Sequence, residues 1–178
     1  MSALLRLFWD ICIFRRGPQD MPYSRFLFGG LLLAYLIFGL FIYLLPDSKG
    51  FSHPLNQIML YLFVDTAAWM GVLYLILRSH GYAARALQTL TTLLAIEIVL
   101  NLAHLPFILL VSGTGSQTVM STLLNVFGTM LILLWELALY THILRNALAT
   151  SIFKAGGFAL MLFVLSIVIN LQMLPVSN

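Results

Sequence analysis

Apolar residues in this chain come in long unbroken runs. They do not form the i, i+3, i+4 stripes of a soluble amphipathic helix or the alternation of a half-buried strand. Five runs, 26–45, 55–77, 86–111, 118–144 and 155–174, reach the roughly 20 residues needed to cross a hydrocarbon core of about 30 Å. Turn-forming residues separate them: Pro46 with Asp47 and Gly50, then 79–81, 112–116 and 146–151. Because lipid offers backbone groups no hydrogen-bond partners, runs of this kind predict helices. The expected fold is therefore all-α, an integral membrane bundle of five transmembrane helices over residues 25–178, preceded by a segment of residues 1–24.

That first segment is patterned differently. Leu4, Leu5, Leu7, Phe8, Trp9, Ile11, Ile13 and Phe14 would cover most of a helix, while Ser2, Arg6 and Asp10 form a narrow polar stripe in which the last two can pair. This predicts an amphipathic helix lying in the membrane interface, with Trp9 at headgroup depth. Arg6 and Asp10 interrupt the apolar run and no small-residue cleavage site follows, so a cleaved signal peptide is not expected. The prolines of the stretch 16–22 force an extended entry into the first span, where Ser24 can cap.

Charge sets the orientation. Arg6, Arg15, Arg16, Arg25, Arg78, Arg85, Arg145 and Lys154 fall on one side of a five-span layout and only Lys49 on the other. By the positive-inside rule the N-terminus is cytoplasmic and the C-terminus outside. Composition agrees, with 61% hydrophobic and 8% charged residues, against about 25% charged in soluble domains. The net charge of +3 reflects topology and anionic headgroups. No basic cluster is dense enough for nucleic acid, so the expected partners are the lipid bilayer and a membrane-protein partner or second copy. Gly30 with Ala34 and Ala67 with Gly71 are small-xxx-small pairs that suit either a compact bundle or a dimer face.

Candidate chemistry is confined to the spans, because no loop is long enough for a soluble domain; an enzyme is not expected. The single cysteine, Cys12, rules out an intrachain disulfide and reads as a buried apolar filler. No haem motif, phosphate loop or metal-ligand spacing is present, so no cofactor or metal is expected, and His80 with His142 is only a formal axial pair.

What remains is a set of intramembrane polar residues: Asp65 on the second span, Glu97, Asn101 and His104 on one face of the third, and Asn125, Thr129, Glu136 and Tyr140 on the fourth. At about 1.5 Å per residue, His104 and Asn125 lie roughly 10 Å from the outer ends, Asp65 and Asn101 about 15, Glu97 about 21 and Glu136 about 27. A carboxylate in hydrocarbon costs about 2.5 to 3.5 kcal/mol on insertion scales. Two readings stay open. Asp65, Glu97, Asn101, His104, Asn125 and Glu136 form a proton or cation path if their faces converge. Alternatively they are packing elements, Glu97 satisfied by Asn101 and Asp65 accepting from Tyr61, at about 0.6 kcal/mol per bond.

The five-span layout resembles the YIP family. The features that carry this are the turn His80, Gly81, Tyr82 before the third span, Pro106 late in that span, and Trp135 in the fourth followed by the basic loop at Arg145. The resemblance implies a non-enzymatic protein of membrane organisation or complex assembly, in a bacterial cytoplasmic membrane. The long cytoplasmic N-terminal region of eukaryotic members, which associates with Rab GTPases in trafficking, has no counterpart before Phe26, so GTPase binding is not expected. Transport through the carboxylate network is the alternative function.

Overall fold

The computed structural model describes residues 2–45, 53–112 and 119–174, and the side chains of 3–45, 53–109 and 119–174. Lys49, the turn residues Pro46, Asp47 and Gly50, those of 113–116 and the tail 175–178 lie outside the described residues. The described residues form six α-helices: α1 (Ser2–Cys12), α2 (Arg25–Tyr43), α3 (Leu55–Ser79), α4 (Ala86–Ser112), α5 (Val119–Leu148) and α6 (Ile152–Met173). All but α1 are long and apolar enough to cross a membrane, the architecture of an integral membrane protein. Short 3-10 turns at Pro18–Asp20 and Ala83–Arg85 link α1 to α2 and α3 to α4.

Local signals place the helix ends. Ser24 caps α2, its hydroxyl accepting from Leu27 N at 3.2 Å. Three helices end in the same wrapped geometry, with the N–H five residues on closing back to a carbonyl: Arg15 to Asp10 at 2.8 Å, Tyr82 to Leu77 at 2.7 Å and Thr150 to Arg145 at 3.2 Å. Each wrap needs a left-handed residue, supplied by Phe14 (φ 62°), Gly81 (φ 82°) and Ala149 (φ 48°). The fourth span is longer than its apolar run because Arg145 and Asn146 continue the helix past the hydrocarbon, and only Ala149 and its neighbours form the turn.

Only glycine adopts the left-handed region freely, and a Cβ there costs about 1 to 2 kcal/mol. Ala149→Gly is therefore expected to stabilise the protein by about 1 kcal/mol, read as a raised unfolding midpoint in detergent. An unchanged or lowered midpoint would mean that the turn does not hold this conformation.

The five long helices close into a ring in the order α2, α3, α6, α5, α4 and back to α2. One end of the ring carries Arg25, Arg78, Arg85, Arg145 and Lys154 and is called the basic end here. The half of the bundle near that end is tightly filled by Leu73, Leu77, Leu93, Leu94, Ile143 and Leu144, all fully buried. Towards the opposite end the ring loosens. There Ile58, Tyr61, Leu62 and Leu174 bind α3 to α6, with Leu40 and Tyr43 of α2 against them, while α4 and α5 keep mainly to each other. Gly128 makes the α4–α5 approach close, because a Cβ there would collide with the ring of Phe107. Between α5 and α6 the buried contacts, such as Leu139, Ile143, Ala155 and Ala159, lie in the basic half; further out, the two helices expose Leu133, Leu134, Ile167 and Leu171.

Several polar groups are satisfied locally. The hydroxyls of Thr66, Thr89, Thr91, Thr92 and Thr141 each donate to the carbonyl four residues earlier. Gln57 Nε2 donates to Met173 O and ties α3 to α6 at the end away from the basic side chains. At the basic end, the Arg85 guanidinium donates to Ala147 O at 3.1 Å, a cation on the C-terminal carbonyls of α5. Gly30, Ala34, Ala67 and Gly71 are exposed, so the small-residue pairs serve no helix contact within this chain.

The N-terminal segment is fastened to the basic end. Leu7, Ile11, Cys12 and Met21 are buried in the main core, while Leu5 and Trp9 point away. Three of its carbonyls are bound by side chains of the ring: Cys12 O by Trp135 Nε1 (3.1 Å), Arg16 O by His142 Nε2 (3.1 Å) and Met21 O by Gln88 Nε2 (2.7 Å). Asp10 pairs with Arg16 at 3.5 Å, a correction to the expected Arg6 pairing: the wrapped end of α1 brings Arg16 back over the helix.

Burial pushes the Cys12 thiol from 9.0 up to about 11. Thiolate is the reactive form, so at neutral pH maleimide labelling should run about 100-fold slower than in the unfolded chain. Because the folded value is the higher one, the stabilising contribution is complete below about pH 9 and is lost as pH rises through about 11. Labelling should therefore accelerate steeply across that window. Fast labelling at neutral pH would show that α1 is not docked.

Candidate functional site

Where the ring loosens it forms an open-sided cavity of about 450 Å³, to which all five long helices contribute. Asp65 of α3, Glu97 of α4 and Glu136 of α5 all line it. The three intramembrane acids thus line one cavity. Among the described residues no lysine, arginine or histidine lines it.

Helix periodicity explains how each wall presents its groups. On α3, Tyr61, Asp65 and Trp69 recur every four residues, and on α2 Tyr35 and Tyr43 do so at twice that interval. On α6 Ser166 and Asn170 repeat the spacing, and on α5 Thr129, Glu136 and Tyr140 face inward. Tyr35, Tyr43 and Ser166 escaped the sequence reading because aromatic and hydroxyl residues are ordinary in spans; their same-face spacing was the available signal.

The three acids differ in their partners. Glu97 accepts a hydrogen bond from Tyr140 Oη at 2.6 Å, a correction to the expected Asn101 partnership. The reason is packing: α4 and α5 run antiparallel in contact, and a phenol across the seam reaches the carboxylate. Asp65 is only 7% exposed, and its Oδ1 has no hydrogen-bond partner. The expected donor, Tyr61, instead stands against Tyr43, ring centroids 5.4 Å apart at 67°, and Tyr43 Oη accepts from Asn170 Nδ2 at 3.0 Å. Ser166 lies beside Asp65. Glu136 sits within electrostatic reach of Glu97, and Glu97 within that of Asp65.

The remaining predicted positions belong to the seam between α4 and α5. His104 Nε2 and Thr129 Oγ1 are 3.0 Å apart, and because Thr129 lines the cavity His104 stands one hydrogen bond behind its wall. Asn125 Nδ2 donates to Phe107 O at 2.7 Å, near the proline-interrupted part of α4. Asn101 is half-buried one turn beyond Glu97 and is not a lining residue. The basic-end histidines are engaged separately, His80 against Phe158 and His142 against Phe14 and Arg16 O.

The chemistry follows from the charge balance. Three carboxyl groups with no basic neighbour in the lining can be neutralised only by protons or by cations entering from outside. The aromatic walls lower the local dielectric and strengthen whatever charge pairing occurs there. Among the described residues no group of three His, Cys, Asp or Glu side chains is close enough to hold a metal ion. Comparison with known proteins adds no family: no protein-family model, no curated protein and no solved structure matches this chain.

Proposed function

We propose that this protein is a carrier-type membrane protein whose central cavity exchanges protons, or a cation in their place, on Asp65, Glu97 and Glu136. The observation that carries this is the meeting of three acids from three separate helices in one cavity without a basic lining residue. Packing alone would be served by acids satisfied one by one, as Asn125 is at the α4–α5 seam and the threonines are within their own helices. Instead Asp65, a lining residue, keeps a buried oxygen without a hydrogen-bond partner. The basic end is taken as cytoplasmic by the positive-inside rule, which makes the loose end of the cavity face outward, and a bacterial cytoplasmic membrane is the proposed location. In that frame α1 packs on the cytoplasmic side, and Ile167 and Leu171 of the cavity lining are exposed towards the outer side.

The deciding experiment is difference infrared spectroscopy of the purified protein through a pH titration, with Asp65→Asn, Glu97→Gln and Glu136→Gln to assign the carboxyl bands. Reversible proton exchange by at least one assigned band supports the carrier reading. Bands that never change with pH would remove it.

A second reading, membrane organisation as in the YIP resemblance, is favoured by one feature: α1 is anchored to the bundle yet leaves Leu4, Leu5 and Trp9 exposed. Under that reading those side chains meet a lipid surface or a membrane partner, and neutralising the acids has no functional effect.

A further inference from the structure

We propose that the cavity binds an amphiphilic organic cation, its ammonium group seated between the Asp65 carboxylate and the rings of Tyr43, Tyr61 and Trp69. This rests on the carrier reading above and names its ligand class.

Four observations converge. Asp65 lines the cavity, and its buried Oδ1 has no hydrogen-bond partner. Tyr61 and Trp69 flank it one helical turn away on either side, and Tyr43 stands edge-on to Tyr61. A carboxylate with aromatic side chains beside it attracts an alkylated ammonium, through ion pairing and the ring quadrupoles together. A bare metal ion is a poorer fit, because it needs several ligands converging on one point, and among the described residues no three His, Cys, Asp or Glu side chains come together. The volume of about 450 Å³ suits a small organic molecule. Finally, Leu133 of α5 and Ile167 and Leu171 of α6 both line the cavity and are exposed on the bundle surface, so an apolar body can approach from the lipid side while its charge seeks the acids.

Entry of the cation is balanced by loss of one proton from a cavity carboxyl group to water. The ionisable groups facing Asp65 are Tyr35 and Tyr43 from α2, Tyr61 from its own helix, Glu97 from α4, and Glu136 and Tyr140 from α5; α6 contributes the uncharged Ser166 and Asn170.

The test is isothermal titration of the full chain in detergent with benzyltrimethylammonium and with its uncharged isostere neopentylbenzene, with an indicator dye reading proton release in weak buffer. Saturable binding of the cation alone, with about one proton released, is expected. Asp65→Asn should weaken it at least tenfold, Tyr61→Leu by about 3- to 30-fold, and Tyr61→Phe hardly at all, because the ring and not the hydroxyl makes the contact. If Asp65→Asn does not fold, Trp69→Phe against Trp69→Leu applies the same criterion. Equal binding of the isostere, or indifference to both Asp65 and Trp69, overturns the inference. No binding of the cation while carboxyl bands still exchange protons overturns the ligand class and leaves the carrier reading standing; the absence of both removes both.

Discussion

Reconstituted in liposomes, the Asp65→Asn variant is expected to lose proton-linked or cation-linked flux by about 100-fold. A cation entering the chamber loses its countercharge when Asp65 is neutralised, and an unpaired charge at membrane depth costs about 3 kcal/mol, close to two powers of ten in occupancy. Asp65 should show the largest single effect because its Oδ1 is the unpartnered oxygen. Glu97→Gln retains a carbonyl that can accept from Tyr140 Oη, so it tests charge with the hydrogen bond preserved. Glu136→Gln completes the set. Packing is controlled by the unfolding midpoint, since a change of charge without loss of shape should cost less than about 1 kcal/mol in stability where the hydrogen bond survives. A triple variant that folds and carries wild-type flux would reassign all three acids to packing.

The second large effect concerns the seal at the basic end. Ile11 is 1% exposed in the core beneath α4 and α5, and Ile11→Asp would place an uncompensated carboxylate there. The cost of such burial is several kcal/mol, more than the contacts of one short helix can offset, so α1 should leave the bundle. Cys12 would then label with maleimide at close to the unfolded rate, a gain of about 100-fold at neutral pH. The five long helices should stay folded, because their insertion depends on their own apolar length. Trp135, which donates to Cys12 O, directly precedes the cavity residue Glu136, so release of α1 should also alter the carboxyl band assigned to Glu136. Unchanged labelling would mean that the docked arrangement is not the one present in the membrane.

The candidate site was only half legible in the chain. Asp65, Glu97 and Glu136 stood out because ionisable groups are rare in apolar runs, and the structure gathers all three. Asn101, His104 and Asn125 stood out as polar residues in the same runs, yet none lines the cavity. The difference is rotation about the helix axis. A span has apolar side chains towards lipid and towards its neighbours alike, so hydropathy does not mark the inward face as it does in a soluble helix. The partners were misread for a related reason. Asn101 is near Glu97 in sequence, but the donor came from Tyr140 on the antiparallel helix, and Tyr61 turned from Asp65 towards Tyr43.

Sequence by itself determined the elements: five spans, the break at 79–81, the basic end, the Ser24 cap and the glycine turn at Gly81. Each of these follows from a local requirement, the need to satisfy backbone groups across hydrocarbon or to accommodate one backbone conformation. Tertiary structure alone decided the ring order, the loosening of its outer half, the docking of α1 and the convergence of the acids. These depend on which side chains interlock across helices far apart in the chain, as at Gly128 with Phe107 and Gln57 with Met173, and no local rule encodes that choice.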